Sequence, residues 1–152
     1  MPVRAFPGPE VRATRRSAIA LVLFVMLVGG AARANATTTA ERAVHAMINE
    51  ARAQAGVRLL PLSDRLSRIA HRHSAAMANK GTLFHSCLAC SISNFRRLAE
   101  NVGYGPNRVT VQQEFLANPP HRLNLLNPKF RRVGVGLVRR GGLVWVTQIF
   151  YA

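Results

Sequence analysis

Residues 98–128 read LAENVGYGPNRVTVQQEFLANPPHRLNLLNP. An acid, a glycine-punctuated turn, a short amphipathic segment and Pro-Pro-His follow one another without filler. Glu100 and His121 are its two candidate chemical groups, because neither sits where plain helix or strand packing calls for a polar residue. The first eight residues have the pattern of a short strand ending in a Gly-rich turn. GYG is no phosphate loop, since the spacing, the Lys and the following Ser or Thr are absent. The period that follows predicts a helix over 110–118, stopped by Pro119-Pro120, whose rings cannot continue it. At about 100° per residue, Val111, Glu114, Phe115 and Asn118 share one side of that helix while Gln113 points away. Glu114 is therefore expected to flank a buried stripe.

Downstream, Val133, Val135 and Leu137 alternate with Gly134, Gly136 and Val138, and Arg139-Arg140-Gly141-Gly142 makes a tight turn into LVWVTQIFY. This is a hairpin. Its second strand is apolar on both faces apart from Thr147 and Gln148, which predicts a central strand with helices covering the sheet. Gly134 and Gly136 predict close approach of a neighbouring element.

Upstream, Thr37 to Thr39 offer capping hydroxyls, and Val44, Met47, Ile48, Ala51 and Ala55 recur at helical spacing until Gly56. Asn49 and Arg52 flank that stripe as a solvated edge, and His45 beside it reads as exposed. A second helix, capped by Ser63 or Asp64, buries Leu66, Ile69, Ala70, His73 and Met77 and stops at Asn79-Lys80-Gly81. His71 and His73 are a poor metal pair, because residues two apart on a helix do not face each other. His73 reads as a hydrogen-bonded core histidine and His71 as a surface one. Residues 82–97 show no sustained period and read as an irregular connection with His85 at its entrance. Helix, helix, loop, strand, helix, hairpin makes an α/β domain in which helices cover a small, mainly antiparallel sheet.

The first 36 residues differ. Arg12, Arg15 and Arg16 precede an uncharged run from Ser17 to Ala32, and Ala34 and Ala36 bracket Asn35. Together they form the n-region, h-region and A-x-A site of a secretory signal. The run is shorter than the roughly 20 residues of a spanning helix, which leaves an uncleaved anchor as the alternative. Arg15-Arg16 leaves ordinary and twin-arginine export both open. The expectation is a signal over 1–36, a folded domain over 37–152 and a secreted protein with no membrane span once the signal is removed. Removing the signal takes away Arg4, Arg12, Arg15, Arg16, Arg33 and Glu10, so the net charge of +15 falls to +11. Such a surface attracts anionic partners: lipid head groups, cell-wall polymers or nucleic acid. Export sets nucleic acid aside, and a monomer is the expected state. Cys87 and Cys90 are the only cysteines. Outside the cytoplasm a local disulfide ranks first, free thiols second and a metal site third.

The motifs N-x-x-R-x-x-x-G at Asn49, Arg52 and Gly56, L-x-x-R-I-A-H-R-H-S-A-A-M-A from Leu66, and LFHS around His85 occur in order with A-E-N-V-G-Y-G, P-P-H-R-L-N-L-L-N-P, F-R-R-V-G-V-G and W-V-T-Q-I-F. The ordered set, covering about 40–151, resembles a bacterial member of the CAP superfamily, the cysteine-rich secretory, antigen 5 and pathogenesis-related proteins, also called the SCP-like extracellular domain. That resemblance implies a three-layer α-β-α sandwich whose cleft is lined by two histidines and two acids. His85 and His121 match the histidines, and Glu100 matches the acid of the family's G-E-N motif, with Ala99 in place of its glycine. The second acid's place, three residues after an aromatic, is Asn118 in this chain. Glu114, one turn earlier, is expected to approach the cleft in its stead.

His85, His121 and Glu100 are a sufficient ligand set for Zn²⁺ with an open fourth position, which could bind an anion or activate water. Without metal, the acid and a histidine could serve as a general base pair. No nucleophile stands out: G-x-S-x-G and H-E-x-x-H are absent. The leading expectation is a secreted, non-enzymatic domain that binds a divalent metal, a small ligand or a lipid in this cleft while its basic face adheres to anionic envelope components. The alternatives are a metal-dependent hydrolase of peptide or cell-wall substrates, and an envelope protein whose polar cluster only fixes its loops.

Overall fold

The computed structural model describes residues 37–152. The signal-like segment over 1–36 lies outside the described residues. Three strands, β1 (Leu98–Gly105), β2 (Arg132–Arg140) and β3 (Leu143–Tyr151), form an antiparallel sheet in the order β1-β3-β2. β3 is central, as its two-faced apolar pattern requires, and every residue from Val144 to Phe150 is buried. Gly141 and Gly142, at φ 59° and 75°, close the β2–β3 hairpin in the doubly left-handed form that glycine adopts without strain.

Side-chain alternation along β3 sorts the core into two layers. Val144, Val146 and Phe150 face α1 (Thr39–Gln54), α4 (Arg108–Ala117) and α5 (Pro119–Leu126), packing with Val44, Ile48, Val111, Phe115 and Leu125. Trp145 and Ile149 face α2 (Asp64–Lys80), packing with Leu66, Ala70 and Met77. The result is the α-β-α sandwich. α2 lies directly on β2, and Gly134 and Gly136 are the reason it can: a Cβ on either would overlap α2 backbone at Leu66 or Ala70.

Both early helices have the caps their sequences offer. Thr38 and Glu41 form a reciprocal capping box on α1, Ser63 caps α2, and Gly81 closes α2 at φ 68°. Glu41 does more, because its buried carboxylate also accepts from His71 Nδ1 at 2.8 Å and from the Leu137 amide.

Four local expectations are corrected. Pro119 and Pro120 do not merely end a helix; they occupy the first positions of α5, where a missing N–H would have had no partner anyway. The helix before them begins at Arg108, because the Asn107 side chain accepts from the Val109 and Thr110 amides and caps it there. The stretch read as irregular contains a four-residue helix, α3 (Leu88–Ser91), closed by a Cys87–Cys90 disulfide. Arg52 and His45 are not a solvated edge. Arg52 is fully buried and donates to the carbonyls of Arg58, Leu125 and Asn127, while His45 and Asn49 both hold Leu60 O.

Candidate functional site

Glu100 and Asn101 are neighbours on β1, and strand geometry sends them to opposite faces. Each grips an element bearing one of the two candidate histidines. Glu100, on the α2 side and 8 % exposed, accepts from His85 Nδ1 at 2.9 Å, from the Ser86 amide at 2.9 Å and from Ser86 Oγ at 2.6 Å. Asn101, fully buried on the other side, donates to His121 O at 3.1 Å and accepts from Asn124 at 2.9 Å, so it holds α5 against the sheet. β1 is an edge strand, so the two histidine-bearing elements are held on opposite faces of one sheet edge.

His85 is set by the turn after α2. His73, buried on α2, donates Nε2–H to Phe84 O at 2.7 Å and packs edge-on to the Phe84 ring, which fixes the residue before His85. With Nδ1–H given to Glu100, neutral His85 directs the Nε2 lone pair outward from a side chain 64 % exposed. His121 is placed by α5's first turn. Asn118 Oδ1 accepts from the His121 amide, and the ring packs edge-on to Phe115 at 4.9 Å.

Burial lowers the His121 pKa from the ordinary 6.5, and the positive charge of His85 when protonated lowers it further. The folded protein thus disfavours His121 protonation. This contribution to stability is complete above pH 6.5 and is lost as the pH falls through the depressed folded value. An NMR titration should place the His121 midpoint below 6.5, and His85→Ala should raise it only in part, because burial is the larger cause. A midpoint unmoved by His85→Ala would show that the two rings do not sense each other.

The expected site is therefore assembled in part. His85 and Glu100 are hydrogen-bonded, and His121 lies within electrostatic reach of His85. Glu114 is exposed and makes no side-chain hydrogen bond or ion pair with either histidine, since α4 turns Gln112 inward with Val111 and Phe115. Asn118 is also exposed and acts as the α5 cap. Ser86, Asn101 and Asn124 were not foreseen. The one sequence signal for them is strand alternation, which sends consecutive polar residues of a buried strand to separate partners.

From His85 and Glu100 a cleft of about 740 Å³ runs along the start of β1, between α3 and the Asn124–Asn127 turn, to Arg96 and Arg97. His121 stands outside its lining.

A sequence profile described as the cysteine-rich secretory protein (CAP) family matches residues 45–150. The chain belongs to that family. It is 29 % identical over 136 residues to the uncharacterized protein YkwD of Bacillus subtilis, covering 78 % of this chain and 52 % of that one. The CAP chain thus spans about half the length of the curated relative it matches. An extracellular protein of Bacillus anthracis containing an SCP domain superimposes with a TM-score of 0.65 at 24 % identity, over 73 % of this chain and 39 % of that one. NaASP2, solved with Zn²⁺, superimposes with a TM-score of 0.59 at 8 % identity, over 80 % and 83 % of the two chains. At these identities the solved structures establish the fold.

Proposed function

We propose that this CAP domain is an exported, non-enzymatic binding protein whose ligand docks at the outer edge of β1 against His85 and His121, with its basic surface held to anionic envelope material. The observation that carries the reading is the commitment of Glu100. Both its oxygens are engaged by His85 and Ser86, so it orients an imidazole and is not poised to take a proton from a substrate. Both cysteines are in the disulfide, and the hydroxyl in contact with Glu100 is Ser86 Oγ, which donates to it.

For a divalent metal the donors on offer are fewer than three protein ligands. Among the described residues no three His, Cys, Asp or Glu side chains converge as a metal-holding group. Two imidazoles remain, with Glu100 behind His85 in the carboxylate–histidine arrangement that fixes a metal-ligating tautomer. His85 and His121 would hold Zn²⁺, which would supply open positions for an anionic ligand. NaASP2, which has the same fold, was solved with Zn²⁺. Calorimetry with Zn²⁺ at neutral pH should show binding that His121→Ala removes while the variant still melts cooperatively. Peptide and peptidoglycan panels should show no turnover. Metal-dependent cleavage abolished by His121→Ala would establish the hydrolase instead, and absence of zinc binding by the parent would remove the metal reading.

A further inference from the structure

Two F-R-R triplets, Phe95-Arg96-Arg97 and Phe130-Arg131-Arg132, lie at the starts of β1 and β2. β3 joins them at one place. Leu98 and Arg132 both pair with Tyr151, Arg97 N donates to Ala152 O at 2.9 Å, and Arg131 N donates to Tyr151 O at 2.8 Å. With neighbouring strands about 4.8 Å apart, the two arginine pairs flank one sheet end on backbones roughly 10 Å apart. All four arginines are exposed, and each ion pair among the described residues involves a histidine, so no described carboxylate neutralises them. Arg65 extends the cluster, sharing a recess of about 210 Å³ with Arg132 and Tyr151. Of the acids near this end, Asp64 accepts from Thr37 Oγ1 at 2.8 Å, and Glu100, which shares a cleft with Arg96 and Arg97, is engaged by His85 and Ser86.

A further observation indicates what this end meets. Phe95 is 40 % exposed beside Arg96, in a loop pinned by Tyr151 OH, which donates to Asn94 O at 2.6 Å. A fixed aromatic among unpaired arginines suits a surface with anionic head groups above an apolar layer, where the ring enters the boundary while the guanidinium groups meet the head groups.

We propose that the sheet end formed by Arg96, Arg97, Arg131 and Arg132, with Phe95 among them, docks on an anionic phospholipid bilayer. This rests on, and deepens, the envelope part of the function proposed above; Phe95, Arg96 and Arg97 also line the far end of the cleft that starts at His85 and Glu100. Guanidinium groups pair bidentately with phosphate, and Phe95 enters the head-group boundary.

The test uses the full chain and reads the ratio of its partitioning onto vesicles of equimolar phosphatidylcholine and phosphatidylglycerol to that onto phosphatidylcholine alone. Insertion of the apolar run contributes to both arms and drops out. Replacing Arg96, Arg97, Arg131 and Arg132 by Ala should lower the ratio by roughly 600-fold, at roughly a factor of five per arginine. Replacing Arg68, Arg72, Arg139 and Arg140 by Ala removes the same charge elsewhere and should leave most of it. Phe95→Ser should lower partitioning at unchanged charge, and molar salt should abolish the preference. Melting curves like the parent's establish that each variant is folded, and the charge-preserving replacement of the four arginines by Lys should retain most of the ratio. Equal losses from both quadruple variants would overturn the assigned surface. Binding to a soluble phosphodiester polymer in preference to vesicles would overturn the bilayer but keep the envelope reading, and binding to neither would overturn both.

Discussion

Gly136→Ala should leave little or no cooperatively folded protein. A Cβ at this position would overlap the carbonyl carbon of Ala70 and the amide nitrogen of His71, both backbone atoms of α2. Backbone within a packed helix cannot swing aside as a side chain can, so relief requires α2 to leave the sheet. That movement would open the layer containing Leu66, Ala70 and Met77 and break the buried bonds from Ser74 to Gly136 O and Thr147. A cost of at least about 4 kcal/mol is expected, against a typical domain stability of about 5–15 kcal/mol. Chemical unfolding followed by far-UV circular dichroism checks it. Gly103→Ala should be milder, because its new methyl meets the far edge of the Phe115 ring. A Gly136→Ala protein as stable as the parent would mean that α2 does not lie on β2. The consequence reaches the site, since α2 carries His73 and leads into the turn that presents His85.

These glycines were legible in the sequence for the same reason they matter. Two glycines alternating with valines in a strand have no packing purpose of their own, and close approach is the use left to them. β3 was legible because an uninterrupted apolar run bounded by a Gly-Gly turn has few other places to go. The helix bounds at Thr38, Ser63 and Gly81 follow from caps acting within three or four residues. What failed was contact at long range or in rotation. Arg52 looked like a solvated edge because two of its acceptors, Leu125 and Asn127, lie 73 and 75 residues away. Glu114 was placed by an angular rule on a helix with only a few apolar residues. Such a stripe defines the buried direction loosely, and the amide of Gln112, bonded to Gln148 at 2.7 Å, took the inward place.

The site divides along the same line. His85, Glu100 and His121 were singled out through motif order, whereas the partners each one has depend on which side of β1 each neighbour occupies. Glu100 changes most between the two descriptions. Its carboxylate, expected as a third metal ligand, accepts from His85 Nδ1, and Ser86 supplies its other bonds.

That assignment makes Glu100→Gln the decisive substitution at the site. The amide oxygen can keep the bonds from His85 Nδ1 and the Ser86 amide, and Ser86 Oγ can rotate to accept from the new NH₂. Shape and tautomer survive, and the negative charge behind His85 is lost. Exchanging charge-assisted bonds for neutral ones at a position 8 % exposed should cost about 1–2 kcal/mol of stability, so the variant stays folded. Loss of an orienting carboxylate behind a metal-ligating histidine typically lowers metal affinity about 10- to 100-fold. Zinc titration at neutral pH, where the depressed pKa keeps His121 neutral, should therefore show a large loss with Glu100→Gln. Ser86→Ala, which leaves the His85–Glu100 bond intact, should lose far less. Were Glu100 a direct ligand, freeing one of its oxygens by Ser86→Ala would instead tighten zinc binding, and that result would return the carboxylate to the metal.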